Sequence, residues 1–130
     1  MQRSNFGKTR QAEIHGLTRA LTDDFMFLQI KAKVLTNFEL SEEQFGKEIV
    51  DLRSAFGSLL EKVETAYSLW WEDAGNQMEE KITLHLKGFL DKITDLSQML
   101  NEKGNEKKAL QSVGDSMAHH ELEEIQKLLY

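Results

Sequence analysis

The feature that most constrains this chain is the absence of proline from all 130 residues, where average usage of about 5% would give roughly six. Proline inside a helix costs about 3 kcal/mol, so a chain without it is compatible with long uninterrupted helices. No segment alternates strictly between apolar and polar residues, and no Asn-Gly or Asp-Gly hairpin turn occurs. The sequence therefore predicts an all-α protein.

Apolar residues recur at helical spacing from about Thr9 to Asn37. One seam advances in alternating steps of four and three, as in packed helices; it comprises Ile14, Thr18, Leu21, Phe25, Leu28, Ala32 and Leu35. A second stripe lies beside it: Phe27, Ile30, Val34 and Phe38. Such a wide apolar arc predicts that two neighbouring helices cover the last half of this helix.

A capping box marks the start of the next helix. Ser41 is followed three residues later by Gln44, and Leu40 and Phe45 stand in the positions of a hydrophobic staple. Glu42 and Glu43 add negative charge at the positive end of the helix dipole. We therefore expect a helix to begin at Glu42.

The rest of the chain contains further seams separated by polar breaks. The second seam fails at Asp73, and Gly75 is expected to end the helix in the left-handed conformation. Asn76 with Glu79 predicts the start of a third helix, and Gly104 predicts its end. Asn105 begins the last segment, which Gly114 and Asp115 interrupt, so this segment is either one kinked helix or two short ones. The seams comprise Phe45, Ile49, Leu52, Phe56, Leu59, Val63, Ala66 and Trp70, then Ile82, Leu86, Phe89, Ile93, Leu96 and Leu100, then Leu110, Val113, Met117, Leu122, Ile125 and Leu129.

Long helices joined by short loops favour antiparallel neighbours. We predict one domain over residues 1–130 that folds as an antiparallel four-helix bundle, with residues 1–8 as a frayed arm. The alternative is a globin-like packing of shorter helices, because glycines at 16, 46, 57, 88 and 114 mark candidate breaks.

Composition excludes several classes of function. Twenty-two acidic against sixteen basic side chains give a net charge of −6, and this acidic balance argues against nucleic-acid binding. The absence of cysteine excludes disulfides and cysteine-ligated metals. We find no apolar run long enough for a membrane span and no signal peptide, and we expect a cytoplasmic protein.

The common catalytic and nucleotide-binding motifs are absent from the sequence. It has no Gly-x-Ser-x-Gly elbow, phosphate loop or dinucleotide fingerprint, so we expect no enzymatic activity and no cofactor. None of the four histidines lies three or four residues from another. His119 with Glu123 and His120 with Glu124 are expected to be surface pairs, and no metal site is predicted.

The run His85-Leu86-Lys87-Gly88 partly resembles the His-x-x-Lys-Gly motif of helical phosphotransfer domains, which are four-helix bundles. This resemblance would make His85 the phosphate-accepting residue. In this chain the lysine is two positions after the histidine, whereas in the family motif it is three positions after it. The difference displaces the lysine by about 100° around the helix. Phe89 and Leu90 then follow where that family prefers small residues.

Aromatic side chains provide the remaining candidates for a site. Trp71 shares a stripe with Tyr67 and Leu60, and these residues are candidates for a protein interface because aromatic residues are enriched in binding hot spots. We expect a non-enzymatic helical bundle that acts by protein–protein contact as a regulator, adaptor or inhibitor, with a homodimer as one form. The alternative is a sensor for an apolar ligand such as a fatty acid, held between helices by Phe25, Phe56, Trp70 and Phe89.

Overall fold

The computed structural model describes residues 8–129, which form five α-helices. Their order is α1 (Lys8–Asn37), α2 (Glu42–Asp73), α3 (Gln77–Asn101), α4 (Glu106–Asp115) and α5 (His119–Leu129). The all-α prediction is confirmed. Of the arm expected at residues 1–8, only Lys8 is described and it begins α1; the other seven residues lie outside the described part.

The helices pack as an antiparallel four-helix bundle in which α4 and α5 together form the fourth member. Each member packs against its two neighbours around the bundle, which confirms the bundle rather than the globin-like alternative. Arg10 near the start of α1 donates to Asp73 at the end of α2, at 2.6 Å. Arg53 in the first half of α2 likewise donates to the carbonyl of Leu100 near the end of α3, so both helix pairs are antiparallel.

The inner seams meet in one continuous apolar core. Three phenylalanines from three different helices, Phe25, Phe56 and Phe89, are completely buried in it. The rings of Phe25 and Phe89 meet edge to face with their centroids 5.5 Å apart, a favoured geometry for aromatic pairs. The sequence seams therefore identify most of the core. Met117 of the last seam is an exception, since it lies in the break between α4 and α5 and is 60% exposed.

The turn between α1 and α2 forms as the capping signal predicts. Ser41 is the N-cap, and its hydroxyl accepts the backbone N–H of Gln44 at 3.2 Å. This bond satisfies one of the amide groups that the first turn of a helix leaves without a partner. The boundary at Glu42 is confirmed.

The turn between α2 and α3 corrects one expectation. Gly75 is not left-handed, because within residues 8–129 the only positive φ belongs to Gly104, at 89°. Asn76 caps α3 by accepting the Glu79 amide, and the Glu79 carboxylate accepts the Gly75 amide at 3.1 Å. This reciprocal bonding closes the turn without a left-handed residue.

The last segment consists of two helices, with the break at residues 116–118. A buried side chain from α1 stabilises this break: Gln29 donates to the carbonyls of Val113 at 3.1 Å and Ser116 at 2.7 Å. Carbonyls at a helix end have no intrahelical partner, so the Gln29 amide satisfies groups that the break leaves open.

The expectation for the second stripe of α1 is wrong. Neighbouring helices do not cover Phe27, Ile30, Val34 and Phe38; all four are exposed. In a four-membered bundle α1 has two neighbours, α2 on one flank and α4 with α5 on the other. Both flank the inner seam, so the opposite side of α1 faces solvent.

Candidate interaction surface

The most unusual surface of the described residues is this stripe, which we call the outer stripe of α1 and define as Phe27, Ile30 and Val34 of the helix together with Phe38 directly after its end. Their exposed fractions are 65%, 59%, 46% and 65%. Single exposed apolar residues are common on soluble proteins, but four that follow one another at helical spacing form a contiguous patch. Contiguous apolar patches mark interaction sites.

Helix geometry explains why these four side chains share one face. They follow one another in steps of three, four and four residues, and residues so spaced lie above one another on an α-helix. From the first to the last, the stripe extends about 17 Å along the axis. Met26 and Leu40 next to it are also exposed.

Shallow grooves run beside the outer stripe where α1 meets α2. One groove of about 320 Å³ includes Phe27 and Ala55 in its lining. Another of about 320 Å³ is lined in part by Val34, Leu35 and Leu40. Although α1 and α2 are the two longest helices, they pack less extensively against each other than α2 packs against α3. The α1–α2 face is therefore both apolar and incompletely filled.

Charged side chains along this boundary pair across it. Lys31 of α1 lies 3.1 Å from the Glu48 carboxylate, and Lys62 of α2 lies 3.3 Å from the Asp24 carboxylate. Because each cation has an anion of the same molecule beside it, the rim contributes little net charge. The apolar stripe is thus the dominant chemical feature of this surface.

A larger groove of about 730 Å³ lies farther along the α1–α2 boundary. Its apolar lining is Leu17, Ala66, Leu69 and Trp70. Charged side chains of both signs also line it: Arg10, Lys62, Glu13 and Glu61. Of the four residues predicted to hold an apolar ligand, Trp70 lines this groove. The other three, Phe25, Phe56 and Phe89, are packed in the core.

The residues predicted as an interface on α2 have different environments. Trp71 is 54% exposed, and its ring centroid lies 6.2 Å from that of Tyr67. Tyr67 and Leu60 are partly buried and pack against the core. Trp71 is therefore the accessible member of this group, whereas the outer stripe of α1 was predicted to be covered.

His85, the residue of the phosphotransfer resemblance, faces α5. Its Nδ1 lies 3.4 Å from the Glu121 carboxylate, which Lys92 also approaches at 3.4 Å. A Cβ at Gly88 would overlap this carboxylate, so the glycine admits Glu121 to the surface of α3. His85 is part of a contact between two helices, and a carboxylate occupies the space beside its ring.

Three potential metal ligands meet at the first turn of α5. Donor atoms of His119, His120 and Glu123 all lie within 4.8 Å of one another. The expected pairing of His119 with Glu123 is present at 3.8 Å, whereas Glu124 accepts from Lys127 at 3.1 Å. The sequence analysis treated these residues as separate pairs and did not predict the group of three, although its spacing of i, i+1 and i+4 is visible in the sequence.

No protein-family model matches the chain, and searches of curated proteins and solved structures gave no significant match. Within residues 8–129, no helix has the length and apolar character needed to cross a bilayer. The candidate functions therefore rest on the surfaces described above.

Proposed function

We propose that this chain is a non-enzymatic helical-bundle protein that acts by protein–protein contact, as a regulator, adaptor or inhibitor, and that the outer stripe of α1 makes the contact. The observation that carries this proposal is the exposure of four large apolar side chains in a helical stripe, opposite a complete core. A helix that presents apolar residues at such spacing binds another helix through that face.

The occupant we propose is a second copy of the chain. In chain order the stripe consists of Phe, Ile, Val and Phe. Its ends are aromatic and its two middle residues are β-branched, so the pattern is the same when read in the opposite direction. If two α1 helices pack antiparallel about a twofold axis, Phe27 of one copy faces Phe38 of the second copy, and Ile30 faces Val34. A twofold contact requires such a self-complementary patch.

A stripe about 17 Å long covers only part of the roughly 800 Å² per partner that a standard interface buries. Exposed Met26 and Leu40 extend the apolar area, as do the grooves toward α2. We therefore expect a weak dimer with a micromolar dissociation constant, in which the two bundles fold independently of association.

Sedimentation velocity over a range of protein concentrations tests this proposal. The 15.0 kDa chain should shift from monomer toward a species of twice that mass as concentration rises. Ile30→Lys should weaken the dimer about tenfold or more, because a lysine ammonium must then be desolvated at the contact.

Val50→Lys is the matched control, since Val50 on α2 is as exposed as Ile30, at 59%. It should leave the dimer unchanged, and circular dichroism should show both variants folded. A chain that stays monomeric at every concentration contradicts self-association. Equal weakening by the two variants would mean that the outer stripe does not form the contact.

A second candidate function is binding of an apolar ligand such as a fatty acid, which the groove beside Trp70 favours. Its volume of about 730 Å³ falls within the range of small-molecule sites, and the apolar side chains of Leu17, Leu69 and Trp70 in its lining suit an acyl chain. A panel of fatty acids should raise the melting temperature, and Leu69→Glu should abolish the increase. Unchanged melting temperatures across the panel would eliminate this candidate.

A further inference from the structure

We propose that the first turn of α5 binds a divalent transition-metal ion, with Zn²⁺ as the representative ion, through His119, His120 and Glu123. This site lies away from the outer stripe of α1 and does not depend on the function proposed above. It uses three donors whose chemistry suits Zn²⁺, namely two imidazole nitrogens and one carboxylate oxygen.

Helix geometry brings the three ligands together. Glu123 is four residues after His119 and three after His120, and both separations place side chains next to each other on an α-helix. The two imidazole ring centroids are 4.6 Å apart. One turn of helix thus gathers all three donors without a contribution from any distant part of the chain.

The three donor atoms must move slightly closer together to bind one ion. The donor atoms lie within 4.8 Å of one another, whereas two ligands of one tetrahedral zinc ion, each about 2.05 Å from the metal, are about 3.3 Å apart. His120 and Glu123 are exposed, so rotations of their side chains suffice to close the site. Three protein ligands leave a fourth position for water.

His119 provides the ordered anchor of the site. Its ring packs near Phe25 of α1, with centroids 6.5 Å apart, and its Nδ1 is buried without a hydrogen-bond partner. Nε2 is the nitrogen directed toward Glu123, and it is therefore the atom that we assign to the metal. Because this ring contacts α1, an ion at the site would link the start of α5 to the bundle.

The electrostatic setting is mixed. The positive end of the α5 dipole disfavours a cation at this position. The Glu123 carboxylate and the overall charge of −6 favour one. Direct ligand bonds decide the balance, because metal affinity in such sites depends mainly on the number and kind of ligands.

Isothermal titration calorimetry with Zn²⁺ tests the site. We expect one ion per chain and a rise in the melting temperature, because an ion that binds only the folded state stabilises it. His120→Ala and Glu123→Gln should each weaken binding about tenfold or more. Both side chains are exposed, so both variants should remain folded in circular dichroism. Mg²⁺ should have no effect, since it prefers oxygen ligands in octahedral geometry.

His15→Gln serves as the control, because it removes one histidine from α1 and leaves the site intact. It should bind Zn²⁺ as the unaltered chain does. The proposal is overturned if Zn²⁺ produces no binding heat, if His120→Ala and Glu123→Gln bind as tightly as the unaltered chain, or if His15→Gln loses binding to the same degree.

Discussion

The two faces of α1 carry similar residues in opposite environments. The inner seam, represented by Leu21, Phe25 and Leu28, is at most 3% exposed, whereas Phe27 and Ile30 on the outer stripe are 65% and 59% exposed. Both sets recur at helical spacing, so spacing alone does not separate core from surface. What separates them is the position of the neighbouring helices, which pack on one side of α1.

The most direct test of the difference between the two faces is to truncate two phenylalanines that lie two residues apart. Phe25→Ala should lower the free energy of unfolding by about 3–5 kcal/mol, because it leaves a cavity in the core. Phe27→Ala should change it by no more than about 0.5 kcal/mol, since that ring is mostly in water. Urea denaturation of both variants measures the difference, and comparable losses would show that the outer face is also packed.

Removing the N-cap of α2, which follows the outer stripe in the chain, should have the next largest effect on the free energy of unfolding. Ser41→Ala should cost about 0.5–2 kcal/mol, because the Gln44 amide then loses its hydroxyl acceptor. Ser41→Asp is the control and should retain most of the stability, as aspartate also caps well. If alanine and aspartate give the same unfolding free energy, the cap does not stabilise α2.

Two helical glycines extend the comparison between open and packed surfaces. At Gly57 of α2, an added Cβ would contact nothing within 4 Å, so Gly57→Ala should stabilise the protein by about 0.5–1 kcal/mol through its higher helix propensity. Gly88→Ala should yield a smaller gain or a loss, because the Glu121 side chain must move away from His85 and Lys92. Thermal unfolding of both variants measures this ranking, and a reversed order would contradict the packing of Glu121.

The smallest effect concerns an exposed ion pair on α3. A hydrogen bond from Lys87 to Asp91, at 2.8 Å, and the negative charge of that carboxylate raise the pKa of Lys87 above its ordinary value. A raised pKa means that the pair stabilises the fold below the ordinary lysine pKa and that this contribution is lost as pH rises through the folded-state pKa. Asp91→Asn should lower the pKa of Lys87, which an NMR titration of its side chain measures. An unchanged value would exclude the pair as the cause.

Much of the fold was predictable because its signals are local. The Ser41 cap depends on residues three apart, and the inner seams depend on the 3.6-residue period of one helix. The left-handed Gly75 was predicted wrongly, because a glycine after a helix often adopts that conformation and here the Glu79 side chain closes the turn instead.

The candidate sites were harder to predict. Nothing in the spacing of Phe27 or Ile30 indicates how many helices surround α1, so their exposure required the assembled bundle. The group formed by His119, His120 and Glu123 had a local signal that a search for residue pairs does not detect. The approach of Glu121 to Gly88 joins residues far apart in the chain, and no periodicity within one helix reports such a contact.

The sequence by itself determined that this protein is helical, where α2 and α3 begin, and most of the seam residues that enter the core, with the exposed Met117 as an exception. These properties follow from backbone hydrogen bonding and from apolar periodicity within single helices. Only the tertiary structure decided which apolar stripe of α1 remains in water and how Gln29 satisfies the break before α5. Those outcomes depend on the number and placement of neighbouring helices, because burial is a property of the space between elements and not of any one of them.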